Sequence, residues 1–386
     1  MNTNSSPRTS TLRAVLLLGL VLVVSYPAAA QSPAGPLGPK PGQQVQAPPQ
    51  TPQSAIRVKV SLVSTPVVVH NGKGDLVFDL DRKDFRVFDN GAEQKLEDFE
   101  VGGAPISLAI VVETSSRIQV LLPAIRRTGI LFTQTVLGES GDATVIGYND
   151  EVSKLLAFTS DQDAIENTIK NLQQGTPGAH LYDALSEAVS ELRDRPESRR
   201  RVIITMAEAV DTGSEDKLGQ VLRDAQLANI TIYSVGLSST AAQTRGPGKQ
   251  ASAPSATPPG TFGLPPAPGT VQTPDTEAAR GGNADLLALA VWAVQHAAAP
   301  IRERPLELAT VATGGLYQST VRDQSIEPAI DAIGGELHAQ YTLTYRPSGT
   351  GLSGYHEIKV QVARRGVKVR FRPGYYLEAQ PNSQAN

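Results

Sequence analysis

Ile106-Ser107-Leu108-Ala109-Ile110-Val111-Val112-Glu113-Thr114-Ser115-Ser116-Arg117 decides the fold. Residues 108–112 are wholly apolar; an acid and a cluster of hydroxyls follow. A short continuous apolar run reads as a strand buried on both faces. A strand that delivers an acid and hydroxyls at its carboxyl end is how open α/β sheets build ligand sites. Outward from it, residues 105–236 alternate between strand and helix patterns. The predicted strands are 107–112, 143–148, 202–206 and 231–235, with an edge strand at 154–158. The predicted helices are 120–137, 161–172, 181–193 and 215–228. Asp161 and Asp163 suit the positive end of a helix dipole, and Ser214 reads as an N-cap. This alternation predicts a doubly wound parallel sheet with helices on both faces.

The flanks read differently. Residues 1–30 read as a signal peptide: Arg8 and Arg13 precede an apolar stretch at 14–24, and small residues at 28–30 precede Gln31. That stretch is short of the ~20 residues a membrane span needs. Residues 31–54, rich in Pro, Gln and Gly, form a tether that cannot bury a core. Residues 55–104 alternate in polarity around Asn71-Gly72 and Asn90-Gly91, the signature of a small β domain. The α/β domain spans 105–338, interrupted at 238–283 by a low-complexity insertion of Pro, Gly, Ala, Thr and Ser that reads as a disordered loop. An Ala-rich helix at 284–299 is predicted to follow, then helix, strand and helix at 306–313, 315–318 and 325–337. Residues 339–378 return to β, in strands expected to pack with the N-terminal β module, with separate placement as the alternative, and 379–386 form a tail. The strands at 56–63 and 355–362 are read as edges open to another sheet.

Composition removes several functions. The 386 residues carry a net charge of −3, with no basic excess to hold nucleic acid or an anionic membrane surface. Arg199, Arg200 and Arg201 read as a solvated loop before a strand. With no Cys, thiol catalysis, zinc–thiolate sites and iron–sulfur clusters are excluded. The five His residues lack metal-ligand spacing, and no nucleophile elbow, P-loop or dinucleotide-binding glycine pattern is present.

The strand running into Glu113-Thr114-Ser115, the alternation after it, the strand leading to Asp211 and the helix start Leu181-Tyr182-Asp183-Ala184-Leu185 resemble von Willebrand factor type A (VWA) domains. The module order, through to Arg372-Pro373-Gly374-Tyr375-Tyr376, resembles a group of bacterial exported VWA-related proteins. The resemblance implies a metal-ion-dependent adhesion site built from three loops. Oxygen ligands there hold Mg²⁺, whose open position takes an acidic group from a partner. In the first loop, Asp-x-Ser-x-Ser becomes Glu113, Ser115 and Arg117. In the second, Ala179 falls where a Thr is usual, with Thr176 and His180 nearby. In the third, Glu208-Ala209 replaces Asp-Gly, and Asp211 follows.

If the site still holds Mg²⁺ or Mn²⁺, the ligands are Glu113, Ser115 and Glu208. Arg117 argues against this, because it brings a permanent cation to a place meant for a dication. No cofactor is therefore expected. Without metal, Ser115 and Ser116 read as a capping turn, and Glu113 and Glu208 as ion partners of Arg117. Alternatively, Arg117 itself receives a partner carboxylate through its planar fork. An acid/base pair of Glu113 and Glu208 in a hydrolase is a lesser alternative, since the intervening cation would keep both ionised.

The expected function is non-enzymatic, adhesion-type protein binding by a protein in the periplasm, at the cell surface or secreted. The expected binding residues are Glu113, Ser115, Ser116, Arg117, Thr176, His180, Glu208 and Asp211. The competing expectation is an envelope scaffold or assembly subunit acting through its β modules.

Overall fold

The computed structural model describes residues 62–238, 290–295, 304–320, 325–348 and 354–377. The signal peptide, the tether, nearly all of the insertion, most of the 284–299 helix and the tail read from the sequence lie outside the described residues; 290–295 is helical.

The strand quoted first is the middle of a six-stranded sheet. Strands β5 (Ile106–Glu113), β6 (Asp142–Tyr148), β8 (Arg200–Ala207), β9 (Ile230–Gly236) and β10 (Tyr317–Ser319) run parallel, and β7 (Val152–Thr159) closes one edge antiparallel, in the order β10-β9-β8-β5-β6-β7. Every residue of β5, β6 and β9 is buried, as expected for parallel strands covered on both faces. Helices α4 (Leu181–Arg193), α5 (Leu218–Leu227) and α6 (Pro305–Thr313) pack on one face, around Ala109, Val111, Ile203 and Ile232. Helices α1 (Leu122–Arg126), α2 (Gly129–Leu131), α3 (Gln162–Lys170) and α7 (Ile326–Ala339) lie on the other side of the molecule. Residues of α1, α3 and α7 join the core there with Leu108, Ile110, Val112 and Val202. Helix α4 shows the cause: Leu181, Leu185, Ala188 and Leu192 recur at helical spacing, and all are buried. Asp161 caps α3 by accepting a hydrogen bond from the Ala164 N–H at 3.1 Å.

The single helix predicted over 120–137 is broken. A 3₁₀ turn at Ser116–Ile118 precedes α1, whose first turn carries Pro123. After α2, the stretch Phe132–Leu137 winds as a π-helix and stops at Gly138, whose φ of 63° suits glycine. The helix predicted at 215–228 begins later, at Leu218, and Ser214 does not cap it.

The two β segments pack together as expected, and they do so by interleaving strand by strand. One antiparallel sheet has the order β13-β1-β11-β4 and the other β14-β12-β2-β3, where β1 is Val63–His70, β2 Phe85–Asp89, β3 Ala92–Gln94, β4 Leu96–Val101, β11 Tyr341–Tyr345, β12 Gly354–Val362, β13 Lys368–Phe371 and β14 Gly374–Leu377. They share a core of Val67, Val69, Val87, Tyr341, Leu343 and Ile358. Of the two strands read as open edges, 56–63 lies almost wholly outside the described residues, and the expectation at 355–362 fails because β12 lies between β14 and β2. Within this sandwich, Asp89 Oδ2 accepts hydrogen bonds from Tyr345 (3.1 Å) and Tyr375 (2.6 Å), while Oδ1 meets His356 Nδ1 at 2.8 Å; all four residues are buried.

The sandwich is joined to the amino-terminal edge of the central sheet. Arg200 donates to the carbonyls of Ala104 and Gly102 and, from the other side, Leu337; Arg199 donates to those of Ile106 and Ser140; Arg201 donates to that of Ala228. The basic run read as a solvated loop is therefore a set of carbonyl clamps, because backbone oxygens at the start of the strands need donors. Arg370 of β13 pairs with buried Glu336 of α7 and donates to the Gly314 carbonyl. Arg372 donates to Asn229 Oδ1 at 3.2 Å. Among these contacts none reaches the carboxyl ends of β5, β6 and β8.

Candidate functional site

At the carboxyl edge, β5 ends in Glu113, whose side chain is wholly inaccessible to solvent. Its carboxylate is held from three directions. Ser115 Oγ donates to Oε1 at 2.5 Å, the Glu208 backbone N–H donates to Oε2 at 2.7 Å, and the Arg117 guanidinium approaches Oε1 at 3.4 Å. Arg117 also lies 3.8 Å from Glu208 Oε2, so one cation is shared between two acids at the carboxyl ends of adjacent parallel strands. The strand register explains the meeting: β5 and β8 pair residue for residue up to Val112 and Met206, and both chains leave the sheet together. Burial pushes the Glu113 carboxyl above the ordinary glutamate range; the Ser115 and Glu208 hydrogen bonds and the Arg117 charge pull it back down.

Ser115 is the N-cap residue of the 3₁₀ turn but makes no side-chain cap bond, because its hydroxyl is spent on Glu113. The Ser116 N–H donates to the Thr176 carbonyl at 3.0 Å, and the Gly175 N–H to the Thr114 carbonyl at 2.8 Å, tying the first loop to the second. Thr176 turns its hydroxyl away from Glu113: it donates to Asn149 Oδ1 at 2.7 Å and accepts from the Asp150 N–H at 3.3 Å. His180 donates its backbone N–H to the Asn149 carbonyl, and its Nδ1 lies 3.7 Å from Asp183 Oδ2.

Asp211 does not reach the Glu113 cluster by hydrogen bonds. It accepts from the Tyr182 N–H (3.3 Å) and from Ser214 Oγ (2.5 Å), and Ser214 Oγ in turn accepts from the Tyr182 and Asp183 N–H groups. The third loop thus caps α4 across space, satisfying donors that the local sequence leaves open. The Thr212 hydroxyl accepts from the Ala179 N–H at 2.8 Å, and the Thr212 N–H returns to the Ala179 carbonyl. The predicted residues therefore fall into two groups. Glu113, Ser115, Arg117 and Glu208 form one cluster, while Ser116, Thr176, His180 and Asp211 brace the loops around it.

Sequence reasoning missed Tyr148, Asn149 and Thr212, gave Asp183 no part in the site, and assigned Ser214 to the helix after it rather than to α4. Tyr148, the last residue of β6, is fully buried and its hydroxyl has no hydrogen-bond partner among the described residues. Burial, and then the negative charge of Glu113, push that phenol well above its ordinary range. A sequence signal existed for Asn149, since a turn residue ends the strand next to the candidate loop. Tyr148 gave none, because a tyrosine at the end of a buried strand reads as core.

A parallel sheet whose central strand ends in an acid, with three loops converging there, defines the class before any comparison: an open α/β domain, a class in which ligands bind outside the carboxyl ends of the strands. Residues 108–209 match the family model described as the von Willebrand factor type A domain, and the α/β unit of this chain is a VWA domain. No match was found among curated proteins. Solved structures that resemble the chain include an aerotolerance-related membrane protein from Bacteroides fragilis, 14% identical over 60% of this chain and 98% of that one, with a TM-score of 0.36. Others are proximal thread matrix protein 1 from the mussel byssus, in a structure with a zinc-occupied MIDAS motif (12% identity, 66% and 50% of the two chains, TM-score 0.40), and the vWF domain of the type V pili tip protein Mfa5 from Porphyromonas gingivalis (18%, 30% and 41%, TM-score 0.26).

Proposed function

We propose that the chain is an exported, non-enzymatic protein-binding VWA protein. It engages its partner at the carboxyl edge, with Arg117 standing where other family members hold a metal ion. The observation that carries this reading is the shared guanidinium: Arg117 lies within 4 Å of both Glu113 and Glu208.

A divalent cation does not suit this donor set. Both Glu113 oxygens already have hydrogen-bond partners, Ala179 offers no side-chain oxygen, and a dication would be repelled by Arg117 at close range. Among the described residues no group of three His, Asp or Glu side chains is arranged to hold a metal. The same geometry speaks against a hydrolase, because Glu113 is sealed from solvent and committed to its partners. Among the described residues no helix is long and apolar enough to cross a membrane. The scaffold alternative is weakened at one of the two strands it invoked, since β12 lies between β14 and β2; the other, 56–63, lies almost wholly outside the described residues.

Val120, 49% exposed in the turn after Arg117, and Val210, 42% exposed in the third loop, flank the site. Photo-crosslinking residues placed at these positions in the producing cell should yield a discrete adduct. The same residue at Phe78 or Val101 of the sandwich should not. Adducts confined to the sandwich positions would overturn the reading and favour the scaffold.

A further inference from the structure

We infer that a groove on the helical flank, bounded by α1, α2 and the second half of α3, receives an acidic segment of the protein partner. This rests on the reading of the carboxyl edge as the binding face and adds where the contact continues and which charge it takes. The groove has a volume of about 470 Å³, within the ~300–1,000 Å³ typical of ligand clefts. It exists because Gly129 lets α2 press against α3: a Cβ there would stand 3.1 Å from the Glu166 Cα. Both walls start from loops of the carboxyl edge, since α1 follows the 3₁₀ turn of the first loop and α3 runs into the second. Arg126 ties the walls together, its Nε donating to the Leu172 carbonyl at 2.9 Å.

Three cations line the groove, Arg126, Arg127 and Lys170, against one carboxylate, Glu166. That carboxylate is already engaged, Oε1 accepting from the Thr133 hydroxyl at 2.6 Å. Arg127 meets Glu327 of α7 at 3.4 Å, but its side chain is 57% exposed, and a pair so open to water holds little energy. Neither Arg126 nor Lys170 has a carboxylate partner among the described residues, and a bond to a carbonyl leaves the guanidinium charge in place. All three cations can be reached: Arg127 and Lys170 are exposed and Arg126 is half-buried. Ile130 of α2, 47% exposed, lines the same groove. Cations around an exposed apolar side chain suit a peptide that carries an apolar residue between carboxylates, which the arginine forks can take bidentately. A nucleic acid suits it less, because its phosphates would leave Ile130 uncovered and the net charge of −3 supplies no wider basic field.

The test titrates fluorescently labelled Glu-Glu-Leu-Glu-Glu, Lys-Lys-Leu-Lys-Lys and pentathymidylate into the full chain at low ionic strength, followed by anisotropy. The acidic peptide is expected to bind saturably and the basic one not to bind. The double variant Arg127→Gln/Lys170→Gln should weaken the acidic peptide roughly tenfold, and Ile130→Ser roughly fivefold. Glu166→Gln, which removes the one acid lining the groove, should tighten it roughly twofold. Arg364→Gln/Arg365→Gln on the sandwich should change nothing. Acidic-peptide binding that survives the double groove variant, or that falls equally in the sandwich variant, would overturn the inference, since the attraction would then be diffuse. Tighter binding of pentathymidylate would overturn it in favour of a nucleic acid, and absence of acidic-peptide binding would refute it outright. In the producing cell, a photo-crosslinking residue at Ile130 should yield the same adduct as one at Val120. An adduct at Val120 with none at Ile130 would overturn the groove alone and leave the edge as the binding face; no adduct at Val120, Val210 or Ile130 would remove the reading on which the inference rests.

Discussion

Replacing Arg117 with Met removes the cation from between Glu113 and Glu208 while keeping an apolar stem of similar length. Opposite charges about 4 Å apart attract by about 4 kcal/mol at the effective dielectric typical of a protein surface, which sets the ceiling. The net effect is smaller. The Arg117 side chain is 27% exposed, so its removal recovers part of a dehydration cost, and Ser115 and the Glu208 N–H stay on the Glu113 carboxylate. Between the near-zero value of exposed pairs and the several kcal/mol lost when a buried pair is broken, a loss of about 1–2 kcal/mol at neutral pH follows. In a domain of this size that lowers the melting temperature by roughly 2–8 °C.

The pH dependence has a definite sign. The folded-state pKa of Glu113 is raised, chiefly by burial. Its contribution to stability is therefore fully present below the unfolded value of about 4.3 and is lost as pH rises through the folded value. Arg117 limits that loss by stabilising the carboxylate. The difference between variant and wild type should therefore be small near pH 4 and fully developed at pH 7. Urea denaturation of both proteins at the two pH values measures it. Equal destabilisation at both would refute the reasoning, because Arg117 would then act through packing rather than through the Glu113 charge.

Tyr148→Phe removes a buried hydroxyl with no partner among the described residues and should stabilise the isolated protein by up to about 1–3 kcal/mol; a lower melting temperature would mean the hydroxyl is bonded in solution. Glu336→Gln leaves Arg370 with no carboxylate partner where the sandwich meets the sheet and should cost about 3–5 kcal/mol in denaturant unfolding, whereas Glu336→Leu/Arg370→Met should recover most of it. Asp89→Asn keeps the shape but gives up the charged acceptor of Tyr345 and Tyr375, and should cost about 2–3 kcal/mol by thermal unfolding.

The central sheet was legible because its information is local. The run 108–112 is apolar throughout and 202–206 is broken only by Thr205, while the helices between them carry a 3.6-residue rhythm, so strand and helix patterns separate cleanly. The convergence of Glu113 and Glu208 was legible for the same reason, since both follow such runs. What was not legible depends on non-local pairing. The interleaving of β1 with β11 and β13 joins residues separated by hundreds of positions, and no periodicity specifies that register. Ser214 has every local mark of an N-cap, yet it serves α4 rather than α5, because the third loop folds over the start of α4. The helix predicted over 120–137 has the right polarity along its length, but Pro123 and the π-wound stretch divide it. Arg199 to Arg201 look solvated in sequence because a charge run carries no record of the carbonyls it will meet.

Calorimetric titration of Mg²⁺ and Mn²⁺ into the metal-stripped chain tests the central claim most directly, that Arg117 stands in the place of the ion. The account predicts no saturable heat up to millimolar metal. Saturable binding that disappears in Glu113→Ala and in Ser115→Ala would contradict it and would return the site to the metal-dependent members of the family.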